Sequence, residues 1–239
     1  VEFKSGVKFR FFNNDKKNII KGSYFVNLVK KQIDKYIRVK GIVECFEKPQ
    51  IQSFNLKALK NIKNKEVVCI DINSCFWRTA FLLNYINEDL YIKGIERGFK
   101  AGLLVSIGAL NKLPYVEEYK NGEVKKEYYD RKYNNTYSPF YWSIICRVRD
   151  IMMESYHILQ DDFYMWLTDC AFINKSKLKD LENIFNKYGY NYKTYTSKIL
   201  KSDLTTVEWF DKEKQMNKSI SISNRNIENN YLKWKIINN

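Results

Sequence analysis

The chain has 239 residues, 45% of them hydrophobic and 16% aromatic, which is the composition of a folded protein and excludes a disordered tail. Its longest apolar stretch, residues 101–110, is far shorter than the roughly 20 residues of a membrane-spanning helix, so no membrane association is expected. The formal net charge is +14, and residues 1–65 carry 16 Lys and Arg against 5 Asp and Glu, whereas the remainder carries 25 against 22. An AT-rich genome would explain the lysine total, but the surplus at one end indicates a surface that meets phosphate.

The cysteines and the single histidine restrict the metal chemistry. Five cysteines is an odd number, and none of them has C-x-x-C spacing, so we expect free thiols in a reducing, cytoplasmic compartment. His157 alone cannot build a His-rich zinc site. A bound metal would therefore be held by oxygen ligands, which favours Mg²⁺ or Mn²⁺.

The first 110 residues are predicted to mix strands and helices. Apolar periodicity and turn residues predict, in chain order, a strand over 7–12, a helix over 24–36, a strand over 37–46, a short helix over 53–62, a strand over 67–71 and helices over 77–86 and 95–110. Three glycines in the last of these helices indicate the close approach of another backbone.

The second half is predicted to begin with a hairpin, because Asn121-Gly122 separates two charged strands over 115–119 and 123–129. A helix over 139–158 starts at a proline, strands over 163–168 and 171–173 flank Asp169, and a helix over 177–187 precedes further strands within 193–222. The predicted class is α+β, with an antiparallel sheet packed against helices. Residues 1–65 are assigned to a basic segment packing on a core of 66–174, and 175–239 to completion of that core or a small extension.

The octapeptide 71–78 (Asp-Ile-Asn-Ser-Cys-Phe-Trp-Arg) follows an apolar run that ends at Ile70. A short strand that ends in Asp71 can aim its carboxylate into a cleft. Taken alone, Asp71 is better interpreted as the N-cap of the following helix.

Three segments resemble the active-site motifs of family B DNA polymerases. The octapeptide at Asp71 is similar to the first motif, and Thr168-Asp169 matches the T-D pair of the third motif, Y-x-D-T-D-S, in which Leu167 here replaces the first Asp. Lys100 and Gly108 have the spacing of the middle motif, K-x-x-x-N-S-x-Y-G, but its Asn-Ser and Tyr are replaced. The resemblance implies a polymerase-palm-like core, reduced and without recognisable exonuclease, fingers or thumb.

The resemblance also implies roles for individual residues. Two-metal phosphoryl transfer needs at least two carboxylates from separate strands. The resemblance assigns these to Asp71 and Asp169, which would hold two Mg²⁺ or Mn²⁺ ions together with the carbonyl of Ile72. The other implied roles are nucleotide binding by Lys100, Arg97, Phe76 (as an aromatic steric gate) and Ser74, and nucleic-acid binding by Gly108, Thr168 and Lys218.

Each of these residues also has an ordinary structural interpretation. Asp169 could be a turn residue, Phe76 core and Lys100 solvated surface. Two segments compete for the later K-x-Y pattern of the family. Lys193-Thr194-Tyr195 spells it but follows the third motif closely, whereas Lys218-Ser219-Ile220 lies on a better-placed strand and lacks the Tyr.

The expected function is that of a minimal DNA polymerase from a phage or mobile element, acting in the cytoplasm (the bacterial host's if phage-encoded) on a DNA template-primer. A partner protein would supply the missing subdomains. The alternative is a degenerate palm that binds nucleic acid or a replication protein without catalysis. Two features favour this alternative. The first Asp of the third motif is missing, and only 29 positions separate Asp71 from Lys100, where the family has its long fingers insertion.

Overall fold

The computed structural model describes residues 22–45, 49–98, 100–112, 115–120, 123–129, 135–203, 205–222, 225–229 and 231. The helices are α1 (Gly22–Lys40), α2 (Leu56–Leu59), α3 (Cys75–Leu82), α4 (Glu88–Arg97), α5 (Lys100–Gly108), α6 (Ser138–Leu159) and α7 (Leu178–Lys187). The strands are β1 (Gln52–Phe54), β2 (Glu66–Ile72), β3 (Tyr115–Lys120), β4 (Glu123–Tyr129), β5 (Phe163–Leu167), β6 (Cys170–Ile173), β7 (Tyr192–Ser202), β8 (Thr206–Asp211) and β9 (Met216–Ser221). The predicted α+β class is confirmed.

Seven strands of the described chain form one antiparallel sheet in the order β1-β5-β6-β2-β7-β8-β9. The strands β3 and β4 pair with each other in a separate ribbon, as predicted from the hairpin signal, although the turn itself lies outside the described residues. Strands from residues 1–65, 66–174 and 175–239 all join the large sheet, and β2 lies at its centre. The strand that carries Asp71 is therefore paired on both sides.

The two faces of the sheet are covered differently. Successive side chains of a strand point to opposite faces, so Val68 and Ile70 of β2 lie on one face and Val67 and Cys69 on the other. The first face packs against α6 and α7 in an apolar layer that we call the helix-side core. The side chains of the second face form an apolar layer with α2 and with residues of β7 and β8. By the same alternation, Asp71 lies on this second face, on the side of the sheet away from α6 and α7.

A third core lies among the helices beside the sheet, and it joins α1, α3, α4, α5 and the start of α6. Helix α1 contributes a fully buried stripe at helical spacing, formed by Phe25, Val29 and Ile33. The approach of α4 to α3 requires a glycine, because a Cβ added at Gly94 would lie 2.6 Å from the Trp77 ring. This helical cluster fixes α5, and therefore Lys100, beside the sheet.

Two predicted elements are wrong, and a glycine explains each. The predicted strand over 37–46 is, in its described part, the end of α1 and an irregular segment. The helix ends because Gly41 adopts φ +86° and its N–H donates to the carbonyl of Ile37 at 2.9 Å. The predicted single helix over 95–110 is divided into α4 and α5, because Gly98 is extended (φ −83°, ψ 143°).

The remaining predictions differ mainly in their boundaries. The predicted helix over 53–62 is a strand followed by the short α2, whose N-cap Asn55 accepts from the N–H of Ala58. The helix predicted over 77–86 starts and ends earlier, as α3. The strand predicted over 7–12 lies outside the described residues. In the described part of the chain, no helix combines the length and the apolar character needed to cross a bilayer.

Candidate active site

Asp71 lies near the end of β2, between two antiparallel neighbours. It is paired in register with Cys170 of β6 on one side and with Lys193 of β7 on the other. Its side chain is 17% exposed. The Asp71 carboxylate therefore lies near one end of the central strand. The turn between β5 and β6 lies at this end of the sheet as well.

Asp169 occupies that turn. Leu167 pairs with Cys170, so Thr168 and Asp169 form a two-residue connection between β5 and β6. The turn is anchored on both sides, because the N–H of Thr168 donates to the carbonyl of Ile51 at 2.7 Å and the N–H of Ile72 donates to the carbonyl of Asp169 at 3.0 Å. The second bond ties the backbone of Asp169 directly to the strand that carries Asp71.

The turn contains backbone strain at Thr168, which adopts φ +61°. A β-branched residue is rarely found in the left-handed region, and such a conformation costs on the order of 1–3 kcal/mol. The strain persists only because the surrounding strands fix the turn. Strain of this kind beside a half-buried carboxylate is typical of functional sites.

The electrostatics show that the two carboxylates share one environment. Burial and, to a smaller extent, the negative charge of Asp71 raise the pKa of Asp169 to about 6, although the charges of Lys100 and Lys193 act in the opposite sense. A carboxylate that raises the pKa of another one lies close to it in space. The structure thus brings together Asp71, Asp169 and two lysines from different elements.

The donor set of the site fits a hard divalent cation. It offers two carboxylates from separate strands, and Mg²⁺ is commonly held by one or two carboxylates with the remaining ligands from water and phosphate. Within the described ranges, no group of three or more His, Cys, Asp or Glu side chains is placed to hold a metal ion. The N–H of Ile72 is used by Asp169, and the predicted role of the Ile72 carbonyl stays a prediction.

The interpretation of Asp71 as a helix cap is wrong. Asp71 belongs to β2, and the N-cap of α3 is Ser74, which adopts φ +47°. Ser74 therefore forms the sharp bend between the strand of Asp71 and the helix of Phe76. Its predicted contact with a nucleotide stays a prediction.

Phe76 is half-buried and packs against both the helix-side core and the helical cluster. Phe76 also lines a shallow surface depression together with Ile51, Trp166 and Thr168. The core interpretation of Phe76 is therefore correct in part. The predicted role of Phe76 as a steric gate stays a prediction.

The residues of α4 and α5 that were predicted to bind nucleotide or nucleic acid lie at different places along the two helices. Lys100 is the first residue of α5, and although its side chain is exposed, its charge acts on Asp169. Arg97 is exposed at the end of α4, on the other side of the Gly98 break. Gly108 ends α5, about 12 Å along the helix from Lys100, and has open space above it. Of these residues, Lys100 is the one that acts on the carboxylate pair.

Lys218 has a different environment from the one predicted. It lies on β9, three strands from β2, and its Nζ donates to Asp211 Oδ2 at 2.5 Å. Asp211 is 1% exposed and also accepts from the N–H groups of Glu213 and Lys214. Lys218 therefore neutralises a buried carboxylate. Its predicted role in nucleic-acid binding is not supported by this position.

Lys193 is a candidate functional residue to which the resemblance assigned no role. Its Nζ lies 3.5 Å from Asp71 Oδ2, directly across the strand pair. The hydroxyl of Tyr195, two residues later, lies 3.3 Å from the thiol of Cys170. Both residues belong to the K-x-Y pattern at 193–195. This pattern follows Asp169 closely in the sequence because α7 is the single α-helix between them.

Comparison with known proteins adds no further constraint. No family model, curated protein or solved structure matches the chain. Functional inference therefore rests on the geometry and charge of the site.

Proposed function

We propose that the chain is a minimal nucleotidyltransferase, a family-B-like DNA polymerase palm in which Asp71 and Asp169 hold two Mg²⁺ (or Mn²⁺) ions. The observation that carries the proposal is the convergence of these carboxylates from β2 and from the β5–β6 turn, with the pKa of Asp169 raised by burial and by Asp71. Two carboxylates on separate strands are the minimum that two-metal phosphoryl transfer requires.

The residues around the carboxylates support specific parts of this chemistry. The hydrogen bond from Ile72 to Asp169 fixes the separation of the two strands, so the carboxylates are preorganised. Lys100 supplies a positive charge at the start of α5, where it suits the triphosphate of an incoming nucleotide. Divalent ions bound there would activate the attacking 3′-hydroxyl and neutralise charge on the phosphates.

The proposed partner is a DNA template-primer, in keeping with the basic surplus of residues 1–65. In the described part of that segment, α1 carries exposed or half-buried basic side chains, namely Lys30, Lys31, Lys35, Arg38 and Lys40. A partner protein would supply the subdomains that a complete polymerase has beyond this chain. We place the protein in the cytoplasm, of the bacterial host if it is phage-encoded, in keeping with its free thiols.

Primer extension tests this function. Wild type should incorporate nucleotides with Mg²⁺ or Mn²⁺, and Asp169→Asn should lower the rate by about 10³-fold or more because it removes a metal-binding charge. Asp180→Asn, which changes an exposed aspartate of α7, is the matched control and should retain wild-type incorporation. Incorporation that is independent of Asp169 would contradict the proposal.

A second candidate function is a degenerate palm that binds nucleic acid without catalysis. The observation that favours it is the ion pair of Asp71 with Lys193, which offsets one carboxylate charge without any metal. This candidate predicts DNA binding that weakens steeply with salt and is unchanged in Asp71→Asn, together with no incorporation by wild type. Asp169-dependent incorporation would exclude it.

A further inference from the structure

We propose that Lys193 is a positioning residue for the proposed metal site: its ammonium group lies beside Asp71 as a stand-in for a cation, and a divalent ion displaces it. The inference rests on the proposed function, because it concerns the occupancy of the same carboxylate pair. It assigns to Lys193 a role in setting metal affinity.

The first support is the geometry of the strand pair. Asp71 and Lys193 are directly opposite each other on β2 and β7, and Lys193 Nζ lies 3.5 Å from Asp71 Oδ2. Side chains opposite each other on one face of a sheet are neighbours, so this contact follows from the register. A divalent ion bound at Asp71 Oδ2 would occupy the region that the ammonium group now faces.

The second support is that this contact is looser than the Lys218–Asp211 pair of the same sheet. Lys218 is 28% exposed and lies 2.5 Å from an Asp211 that is 1% exposed, whereas the Lys193 side chain is 46% exposed. A lysine has a flexible four-carbon stem, so an exposed ammonium group can move into solvent at little cost. Lys193 is therefore freer to leave its partner than Lys218, which is less exposed and in closer contact with its carboxylate.

The third support is the charge balance of the site. Asp71 and Asp169 repel each other, and one ammonium group offsets part of that repulsion. A divalent ion offsets more of it and also repels the ammonium group, so the two cations compete for one place. Removing the lysine charge should therefore tighten metal binding and leave the metal-free pair less stable.

The displaced ammonium group has a second consequence. Once it leaves Asp71, it remains at the edge of the site, where it can contact a phosphate of the substrate. Replacement of Lys193 is thus expected to have opposite effects on two ligands. Metal should bind more tightly, and a DNA primer-template should bind more weakly.

The test is a titration of Mn²⁺ followed by the electron paramagnetic resonance signal of the free ion. Lys193→Met should lower the dissociation constant for Mn²⁺ by about three- to tenfold, since it removes one nearby positive charge. Lys193→Arg, which keeps the charge, should stay near wild type. Lys198→Met is the matched control on the same strand and should also leave the constant unchanged.

The outcomes separate this inference from the proposed function. If wild type binds Mn²⁺ through Asp71 and Lys193→Met binds it equally or more weakly, the role of Lys193 is overturned and the metal site stands. If no variant shows Asp71-dependent Mn²⁺ binding, both fail. Circular dichroism checks the fold, and Lys193→Gln, with the same expected direction, replaces the Met variant if that chain does not fold.

Discussion

The sheet holds aspartates in two regions, and their surroundings act on them in opposite directions. Asp211 on β8 is almost fully enclosed, and although burial alone would raise its pKa, hydrogen bonds from Lys218 and from two backbone N–H groups lower it overall. Asp169 is half-buried in the β5–β6 turn, and burial together with the charge of Asp71 raises its pKa to about 6.

This difference distinguishes Asp211, a structural carboxylate, from Asp169, for which we propose a function. A buried charge is tolerated when its hydrogen bonds are satisfied, as they are at Asp211. At Asp169, burial and the neighbouring Asp71 carboxylate outweigh the two lysines that act on it, so its charged form is disfavoured. A carboxylate with a perturbed pKa and a second carboxylate nearby is a candidate functional group, which is the reason for proposing chemistry at this end of the sheet and a structural role for Asp211.

The largest effect on stability is expected at the structural site. Asp211→Ala should lower the free energy of unfolding by about 3 kcal/mol, because it strands Lys218 and two backbone donors in a partly buried place. Urea denaturation measures the change. A loss below about 1 kcal/mol would show that Asp211 is not the structural carboxylate that we describe.

Lys218→Met tests the same region from the other side. It should lower the free energy of unfolding by about 2 kcal/mol, since the Asp211 charge loses its main partner. The affinity for DNA should not change, because Lys218 neutralises Asp211 and lies three strands from β2. A weaker DNA affinity, measured by fluorescence anisotropy, would instead favour the role predicted from the sequence.

Stability should change in the opposite direction at the proposed metal site. The pKa of Asp169 is higher in the folded protein than in the unfolded chain, so the folded state binds more protons between about pH 4 and 6, and stability falls as the pH rises through this window. Asp169→Asn should therefore raise the free energy of unfolding at pH 8 by about 1–2 kcal/mol. Thermal unfolding at several pH values measures this gain.

The gain should shrink towards pH 4, where wild-type Asp169 is already protonated. A variant that is less stable than wild type at pH 8 would contradict the raised pKa of Asp169 in the folded protein. Asp180→Asn on the surface serves as the control and should show neither effect.

The smallest effect concerns the strained turn. Thr168→Gly should raise the free energy of unfolding by about 0.5 kcal/mol, because glycine adopts positive φ without the cost that a β-branched residue incurs. Gln215→Gly, at φ +50° in the β8–β9 turn, is the matched substitution of an unbranched residue and should gain less. Equal gains would show that the turn at Asp169 has no special strain.

The sequence predicted those parts of the site that depend on local patterns. The strand before Asp71, the hairpin around Asp169 and the buried stripe of α6 each follow from spacing within a short segment. The pairing of Lys193 with Asp71 and of Lys218 with Asp211 depends on which strands become neighbours and in which register. Periodicity within a strand carries no information about its partner, so neither lysine's partner could be predicted from the sequence.

Helix boundaries failed for a related reason. The apolar pattern continues through Gly98, but a Cβ at that position would lie 2.4 Å from the carbonyl oxygen of Gly94. The break between α4 and α5 thus depends on backbone crowding that only the folded chain reveals. It also determines that Lys100, and not Arg97, starts the helix beside the carboxylate pair.

If Asp71 and Asp169 form a site for divalent metal ions, a crystal structure with Mn²⁺ and a non-hydrolysable nucleoside triphosphate should show the ions there. Anomalous scattering should reveal two Mn²⁺ ions about 4 Å apart, each coordinated by the Asp71 and Asp169 carboxylates, with Lys193 turned away from Asp71. Manganese peaks that lie elsewhere, with the Lys193–Asp71 ion pair intact, would contradict the account.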